Sequence, residues 1–477
     1  MKRFFVLLTL GLLIALWGCE NVEYIEQSAS KNDSSVDIYD QLQSEIPLPD
    51  TSGETLEYRE FLIITDDSTA FYQDESTQGA VSTALEERNS FLRDTYGAMV
   101  KVVEKDFETI KRELAYAVES GTKYCDMISI SAQDTVKLYD LGLLCDMNTL
   151  PNFSIENSYF KQDWATSLAT NNSLYMLADP TAMVYDEAYV MFYNRNLVKE
   201  DIEALVMQGK WTWEEFDRIS REAAKEVYSH SASDLKSDIF AFGAYELETV
   251  YPLAMWASCG NKLIDNTYKN PVGVGMEPDA VKAIAEYLED IYNVRGKYPL
   301  AKEDAATAFT EGRLAFFCHE LNFLYGLRDG TTLGDNYGFV PLPKYNAEQE
   351  KYHVSPSLNA RVISVPKTVD SASEQEKAFI SAVISATCAA GSNTMTDAYI
   401  KSRLSLYLNT NSETVMLKTI CDSITFDFAT VFGSGIEIIR TPTTKAIADY
   451  LDYGSKLSSS LRKGKQAFEK YCEEHFK

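Results

Sequence analysis

Four histidines, His230, His319, His353 and His475, are the natural candidates for metal or acid–base chemistry, and none has metal-ligand spacing. His319-Glu320 opens like the H-E-x-x-H zinc site, but Phe323 occupies the position the second histidine needs. No G-x-S-x-G turn, no phosphate loop ending in Gly-Lys-Ser/Thr and no EF-hand loop is present. With 71 acidic residues, carboxylate pairs suited to glycoside hydrolysis arise by chance, so their spacing supports no enzyme. No cofactor and no metal is expected. Beyond Cys19, seven cysteines remain, most of them among apolar neighbours, as in "LLCDM" and "AFFCHE". Their number is odd and none forms C-x-x-C, so buried thiols are expected instead of a disulfide framework.

What the composition supports is recognition. The 29 Tyr, 23 Phe and 5 Trp offer faces on which the C–H surface of a sugar ring stacks, while planar polar side chains take its hydroxyls. Most aromatics must be core. Tyr72, Trp164, Tyr185 and Trp256 stand in polar or turn-like settings, where ligand contact and half-buried packing are both open.

The elements that would position such groups read as α/β from Tyr58 onward. "EFLIIT", "MVKVVE" and "CDMISIS" have the apolar density of buried strands, and the stretches between them, "STALEERNSFLRDTYG" and "FETIKRELAYAVESG", have helical periodicity. Alternation of this kind predicts parallel βαβ units. Ligands of such sheets sit beyond the carboxyl ends of strands, which nominates Asp66 and Asp67 after the first strand and Gln133 and Asp134 after the third. Further on, Thr212 and Glu215 in "GKWTWEEFDRI" form a capping-box pattern, flanked by Trp211 and Phe216 as a hydrophobic staple, so a helix starts there. "DAVKAIAEYLEDIYNVRG", "EDAATAFTEGRLAFF", "SEQEKAFISAVISATC" and the tail from Thr443 also read as helices, and "ARVISVP" as a short strand.

The first residues read differently. Lys2 and Arg3 precede an apolar run, Phe4 to Trp17, too short for a comfortable span, which reads as an export signal. Leu16-Trp17-Gly18-Cys19 resembles the bacterial lipoprotein box, which implies cleavage before Cys19 and lipid on its thiol. Residues 20–56, rich in Ser, Asp, Asn, Glu and Gln, have too little apolar area to offset their ordering entropy and read as a flexible tether. A net charge of −27 repels nucleic acid and anionic headgroups. The 477 residues exceed what one core usually accommodates, so two lobes are expected.

From Tyr58 to the end, the chain resembles the family 1 extracellular solute-binding proteins of ABC transporters, the group that includes maltose-binding protein. The stretches that carry the likeness, in order, are "CDMISISAQDTVKLYDLGLLCDMNTLP", "NSLYMLADP", "VMFYNRNL", "WTWEEF", "YPLAMWASCGNKL", "AFTEGRLAFFCHELNF" and "NYGFVPLPK". "YLNTNSETVMLKTICDSITFDFATVFG" is similar to the C-terminal region of many lipoproteins of this family. The resemblance implies a two-lobed, type II periplasmic-binding-protein-like α/β fold, each lobe a mixed sheet flanked by helices, with hinge crossings and a ligand cleft between them. The boundaries it suggests are residues 1–18 for the signal, 19–56 for the tether, 57–185 and 186–340 for the first parts of lobes 1 and 2, 341–390 for a return to lobe 1, and 391–477 for C-terminal helices mainly on lobe 2.

For the site, the resemblance places Ile130 where many relatives carry a stacking tryptophan, followed by Gln133 and Asp134. It nominates Glu246 and Glu248 ahead of "YPLAMW", Glu320, Asn322 and Phe323 after "LAFFCH", and Asp179 near the first hinge crossing. Asp66 and Asp67 match the ligand-facing end of the first strand, and Trp256 joins the set. Arg361 is a candidate partner for the carboxylates, since buried acids need compensation. Truncation of Trp256 or Asp134 to alanine is expected to weaken binding with little effect on folding.

The function implied is a monomeric, lipid-anchored, extracellular or periplasmic receptor that captures a carbohydrate or oligosaccharide by hinge closure and delivers it to ABC permease subunits, with no nucleic-acid partner. A polyamine- or peptide-binding lipoprotein of the same fold, an extracellular glycan-degrading enzyme and a glycan-capture lipoprotein without a transporter are the alternatives.

Overall fold

The computed structural model describes residues 58–71, 79–169, 173–225, 239–244, 251–262, 266–267, 270–271, 302–327, 332–408 and 410–434, with positions 46, 466 and 470. The chain divides into two compact units, Met1–Glu45 and Ile46–Lys477, and every described residue lies in the second. The signal segment with Cys19, nearly all of the tether, the helix read from "DAVKAIAEYLEDIYNVRG" and almost all of the tail from Thr443 lie outside the described residues. Among those described, no helix is long and apolar enough to cross a membrane.

Two mixed four-stranded sheets organise the molecule. The first comprises β1 (Arg59–Thr65), β2 (Ala98–Glu104), β3 (Met127–Ser131) and β10 (Arg361–Ser364), in the order β10-β3-β1-β2. β1 runs parallel to both β2 and β3, as the βαβ reading predicts, and β10 closes the edge antiparallel to β3. α1 (Ala80–Tyr96) and α2 (Phe107–Ser120) make the crossovers. Each ends on a glycine with positive φ, Gly97 at 69° and Gly121 at 68°, which closes its last turn without Cβ strain. β3 is buried along its whole length, as a strand covered on both faces must be.

The second sheet has the order β5-β8-β4-β9. β4 (Tyr189–Asn194) is antiparallel to β8 (Leu314–Glu320) and to β9 (Tyr337–Pro341), while β5 (Phe240–Ala244) is parallel to β8. A two-stranded ribbon, β6 (Asn266–Thr267) with β7 (Asn270–Pro271), is hydrogen-bonded to neither sheet. Three short or amphipathic helices follow β3 and β4: α3 (Ala132–Asp140), α4 (Gln162–Ser167) and α5 (Ile202–Met207). α6 (Trp213–Lys225) begins where Thr212 accepts the Glu215 amide at 3.3 Å, and Trp211 meets Phe216 edge-on at 6.0 Å, so the cap and the staple both form. α7 (Tyr251–Ser258) and α8 (Lys302–Thr310) complete this half, with one further turn, α9 (Leu324–Leu327), after β8.

The chain then returns. α10 (Glu374–Ala390) packs on α1, passes through a π-turn at Gly391–Met395 and continues as α11 (Thr396–Leu406). A Cβ on Gly391 would stand 1.7 Å from Thr181 Oγ1, so only glycine lets this turn approach the Pro180–Ala182 segment. α12 (Asn411–Ser423) lies on β9, and α13 (Phe428–Ser434) crosses to α3 of the first half.

Between the sheets the chain passes through a narrow ribbon of extended segments. Tyr189 N donates to Ser355 O at 3.0 Å and Ser357 N to Glu187 O at 2.7 Å. On the other side, Val354 N donates to Ser423 O and Thr425 N to Val354 O, both at 2.8 Å. Leu321 N donates to Ala188 O at 2.9 Å, so the lateral order is 320–321, 187–189, 354–357, 423–425. One core cluster runs from Trp164 and Tyr185 through this ribbon into Phe192, Phe316 and Phe317 of the second sheet. Burial of each such side chain contributes about 1.5–3 kcal/mol, which keeps the ribbon intact while its few backbone bonds leave it the thinnest part of the fold.

Candidate ligand site

On the first sheet, β1 gives out at Thr65, and the two acids behind it turn back. Asp67 Oδ1 accepts the Thr69 amide at 2.9 Å and so caps the short Ser68–Ala70 turn. Arg361, in register with Ser131, reaches past the end of β3 to both acids, Nε to Asp66 Oδ1 at 3.2 Å and Nη2 to Asp67 Oδ2 at 3.1 Å. Burial raises the Asp66 carboxyl above its usual range, and the Arg361 charge works against that rise. Gln133, in the first turn of α3, donates Nε2 to Asn359 Oδ1 at 2.9 Å. Asp134 gives its amide to the capping Ser131 hydroxyl, while its carboxylate is held by Lys137 one turn on at 2.7 Å.

The second sheet contributes from the end of β8 and the start of β4, which are neighbours because Tyr189 pairs with Glu320. Asn322 Nδ2 donates to Glu320 Oε2 at 3.5 Å. Glu187 accepts the Ser357 hydroxyl at 2.8 Å. Its carboxyl is pushed up to about 7, first by burial and then by the charge of Glu320, with Asp186 adding and Arg361 opposing. Asp186 accepts the hydroxyls of Tyr325 and of Tyr399, the latter at 2.7 Å, and Tyr185 is bonded to Thr396. Among the described residues no group of three or more His, Cys, Asp or Glu is disposed to hold a metal ion.

The structure therefore brings together Asp66, Asp67, Gln133, Glu320 and Asn322 with Arg361, and adds Glu187, Asp186, Ser357 and Asn359. Other nominations fall elsewhere. Asp179 is fully buried, caps the Pro180–Ala182 turn through Thr181 N at 2.9 Å, and has its carboxyl raised to about 7 by burial, so it lies in the interior and not at a ligand surface. Trp256 is 2% exposed and belongs to the core cluster. Its truncation leaves a cavity costing about 3–5 kcal/mol, against the expectation that folding would be spared. Phe323 packs against His319 at 4.8 Å and Phe317 at 5.1 Å. Glu246 and Glu248 lie outside the described residues.

Asp186 and Glu187 escape the sequence reading because the strand-end rule covers parallel strands alone. β4 is antiparallel to β8, so the residues before its start share a rim with the residues after β8. Two acids abutting the wholly apolar run "YVMFY" are the available signal.

Two mixed sheets joined by a thin ribbon, with polar groups converging from the strand ends of both, define a two-lobed binding protein. The model of the bacterial extracellular solute-binding proteins matches residues 88–414, and the chain belongs to this family. The family is extracellular, and its solved neighbours are binding proteins. An extracellular solute-binding protein of Staphylococcus aureus, solved with maltose, is 14% identical, covering 87% of this chain and 98% of that one with a TM-score of 0.57. The maltose-binding protein of Listeria monocytogenes, also with maltose, is 13% identical, covering 88% and 99% with a TM-score of 0.56. The cyclic α-maltosyl-1,6-maltose binding protein of Arthrobacter globiformis is 12% identical, covering 86% and 98%, again at 0.56. At such identities the likeness establishes the maltose-binding-protein-like fold. No curated protein sequence matches the chain.

Proposed function

We propose that this protein captures a carbohydrate or oligosaccharide between its lobes and presents it to an ABC permease, held at the membrane by lipid on Cys19 and acting as a monomer. The observation that carries the reading is the convergence of carboxylates and amides from two separate sheets on either side of one ribbon. Asp66, Asp67 and Gln133 stand on the first rim, Glu187, Glu320 and Asn322 on the second, with Arg361 between them in charge. Planar acceptors of this kind suit the hydroxyl edges of a sugar, and hydrogen bonds to a charged group contribute about 1.5–3 kcal/mol each. A ligand that touches both rims binds the closed arrangement more tightly than the open one and so drives closure, with no covalent step.

Thermal unfolding of the protein against mono- and oligosaccharides, polyamines, amino acids and short peptides tests this. A ligand at 100 times its Kd adds about 2.7 kcal/mol to native-state stability, which raises the Tm measurably. A rise confined to one sugar class supports the reading. A rise with polyamines alone replaces the sugar by a cation, the second reading that the excess of carboxylates over one guanidinium favours. No rise at all, with reducing sugar released from a glycan, would transfer the protein to the hydrolases.

A further inference from the structure

A cavity of about 490 Å³ opens beside the 422–425 edge of the ribbon, and its walls come from both halves of the protein. One wall is α4. The excursion that carries it leaves the first sheet at Cys145, whose amide bonds Val365 O, and returns at Leu177, which pairs with Ile363. Another part of the lining is the 351–353 segment with Lys262. Tyr352 is tied to the second half through Val206 O, and Lys262 follows α7. The floor is the 422–425 segment, to which α4 is fastened by Trp164 Nε1 donating to Ile424 O at 2.8 Å. Glu187 and Glu320 belong to the 187–189 and 320–321 segments, at the opposite edge of the ribbon. This cavity is therefore not the inter-rim site.

Its charges come from different segments. Asp163 belongs to α4, whereas Lys262 and Lys351 come from segments of the second half, and among the described residues none of the three forms an ion pair. His353 lies between them, with Nδ1 3.3 Å from Thr425 Oγ1. The Thr425 hydroxyl also lies 3.2 Å from Ser423 O, so this contact ties the ring to the floor of the cavity. Burial, then Lys351 and Lys262, lower its pKa, and Asp163 opposes them, so all three charges are felt at one ring. Asp422, the other acid on the floor, is already held by Lys418 at 3.2 Å. Thr166 and Ser423 complete the polar lining.

We propose that this cavity is a second binding site, for a small zwitterion whose ammonium meets Asp163 and whose carboxylate meets Lys262 and Lys351. A lone anion would face Asp163, and a lone cation would face two lysines; only a molecule carrying both charges satisfies all three side chains. An occupant also bridges the two halves at their junction and resists their relative movement. The site stands whether or not the inter-rim cleft takes a sugar.

Calorimetric titration of the full chain with ω-amino acids from β-alanine to 6-aminohexanoate tests it, with hexanoate and hexylamine as single-charge controls. The expected result is saturable one-to-one binding by at least one member of the series, weakened fivefold or more in Asp163→Asn and in Lys351→Ala, unchanged in Glu187→Gln, and at least fivefold tighter than either control. Both substituted side chains are exposed, so the variants keep the fold, and their unfolding midpoints check that. Three results would each overturn the proposal: no saturable binding across the series, hexanoate binding as tightly as the zwitterions, or loss of binding in Glu187→Gln, which would put the probe in the cleft.

Discussion

The two rims solve the same problem in different ways. On the first sheet, Asp66 and Asp67 share Arg361, and their oxygens are held in place before any ligand arrives. On the second, Glu187 has a neighbouring acid, Glu320, and only a hydroxyl partner, Ser357, so its carboxyl holds a proton up to about pH 7. The first rim is compensated by protein, and the second is compensated by protonation until a ligand donates to it. Compensation by a fixed guanidinium gives orientation, whereas compensation by a proton gives a rim whose charge follows the medium.

The largest expected effect comes from breaking the first arrangement. Arg361→Ala leaves two partly buried carboxylates without their cation and should cost about 1–3 kcal/mol of stability, with a loss of ligand affinity of about 10- to 100-fold. Urea denaturation and calorimetry measure the two effects. Equal stability with unaltered affinity would mean that the guanidinium compensates nothing.

The second rim is tested by pH. Folded Glu187 keeps its proton to about pH 7, whereas the unfolded chain releases it near the ordinary glutamate value of about 4.3. The folded state thus binds more protons across that window, so stability is highest below it and falls as pH rises toward 7, by up to about 3 kcal/mol. Asp179 acts in the same direction from the interior, since its carboxyl also reaches about 7. Glu187→Gln should flatten part of the decline between pH 5 and 8, and Asp179→Asn another part. Urea midpoints at the two pH values separate the contributions. If neither substitution flattens the profile, the raised carboxyls are not its cause.

The smallest effect is expected at the margin of the first rim. Asp134 already holds Lys137, whose side chain is half exposed, so Asp134→Ala should change stability by less than about 1 kcal/mol and affinity by less than about threefold. A tenfold loss by calorimetry would move Asp134 into the contact set.

Much of this was legible from local pattern. The runs "EFLIIT" and "CDMISIS" became β1 and β3 because dense β-branched sequence between turn residues has few other stable fates. Thr212 began a helix because its hydroxyl satisfies an otherwise unpaired amide. Asp66, Asp67 and Gln133 were nominated from strand direction, and Arg361 from the need for charge compensation, while which acids it meets came from the structure. What stayed hidden depended on three-dimensional pairing. Nothing around "VYDEAY" states that β4 runs antiparallel to β8, and that pairing alone brings Glu187 to Glu320. Asp179 and Trp256 were nominated from their place near the hinge crossing and beside "ASCGNK", and sequence position alone did not reveal that both are buried.

The cysteines carry a consequence for the life of the protein outside a cell. Five of the six described thiols are buried and the sixth is half-buried. Burial raises all six, Cys145 and Cys259 to about 12 and the other four also well above the ordinary thiol value. Oxidants, heavy metals and low-molecular-weight disulfides attack the thiolate, and these side chains keep almost none. The six described thiols are thus chemically quiet, and a swing from anaerobic to aerated surroundings should leave them reduced.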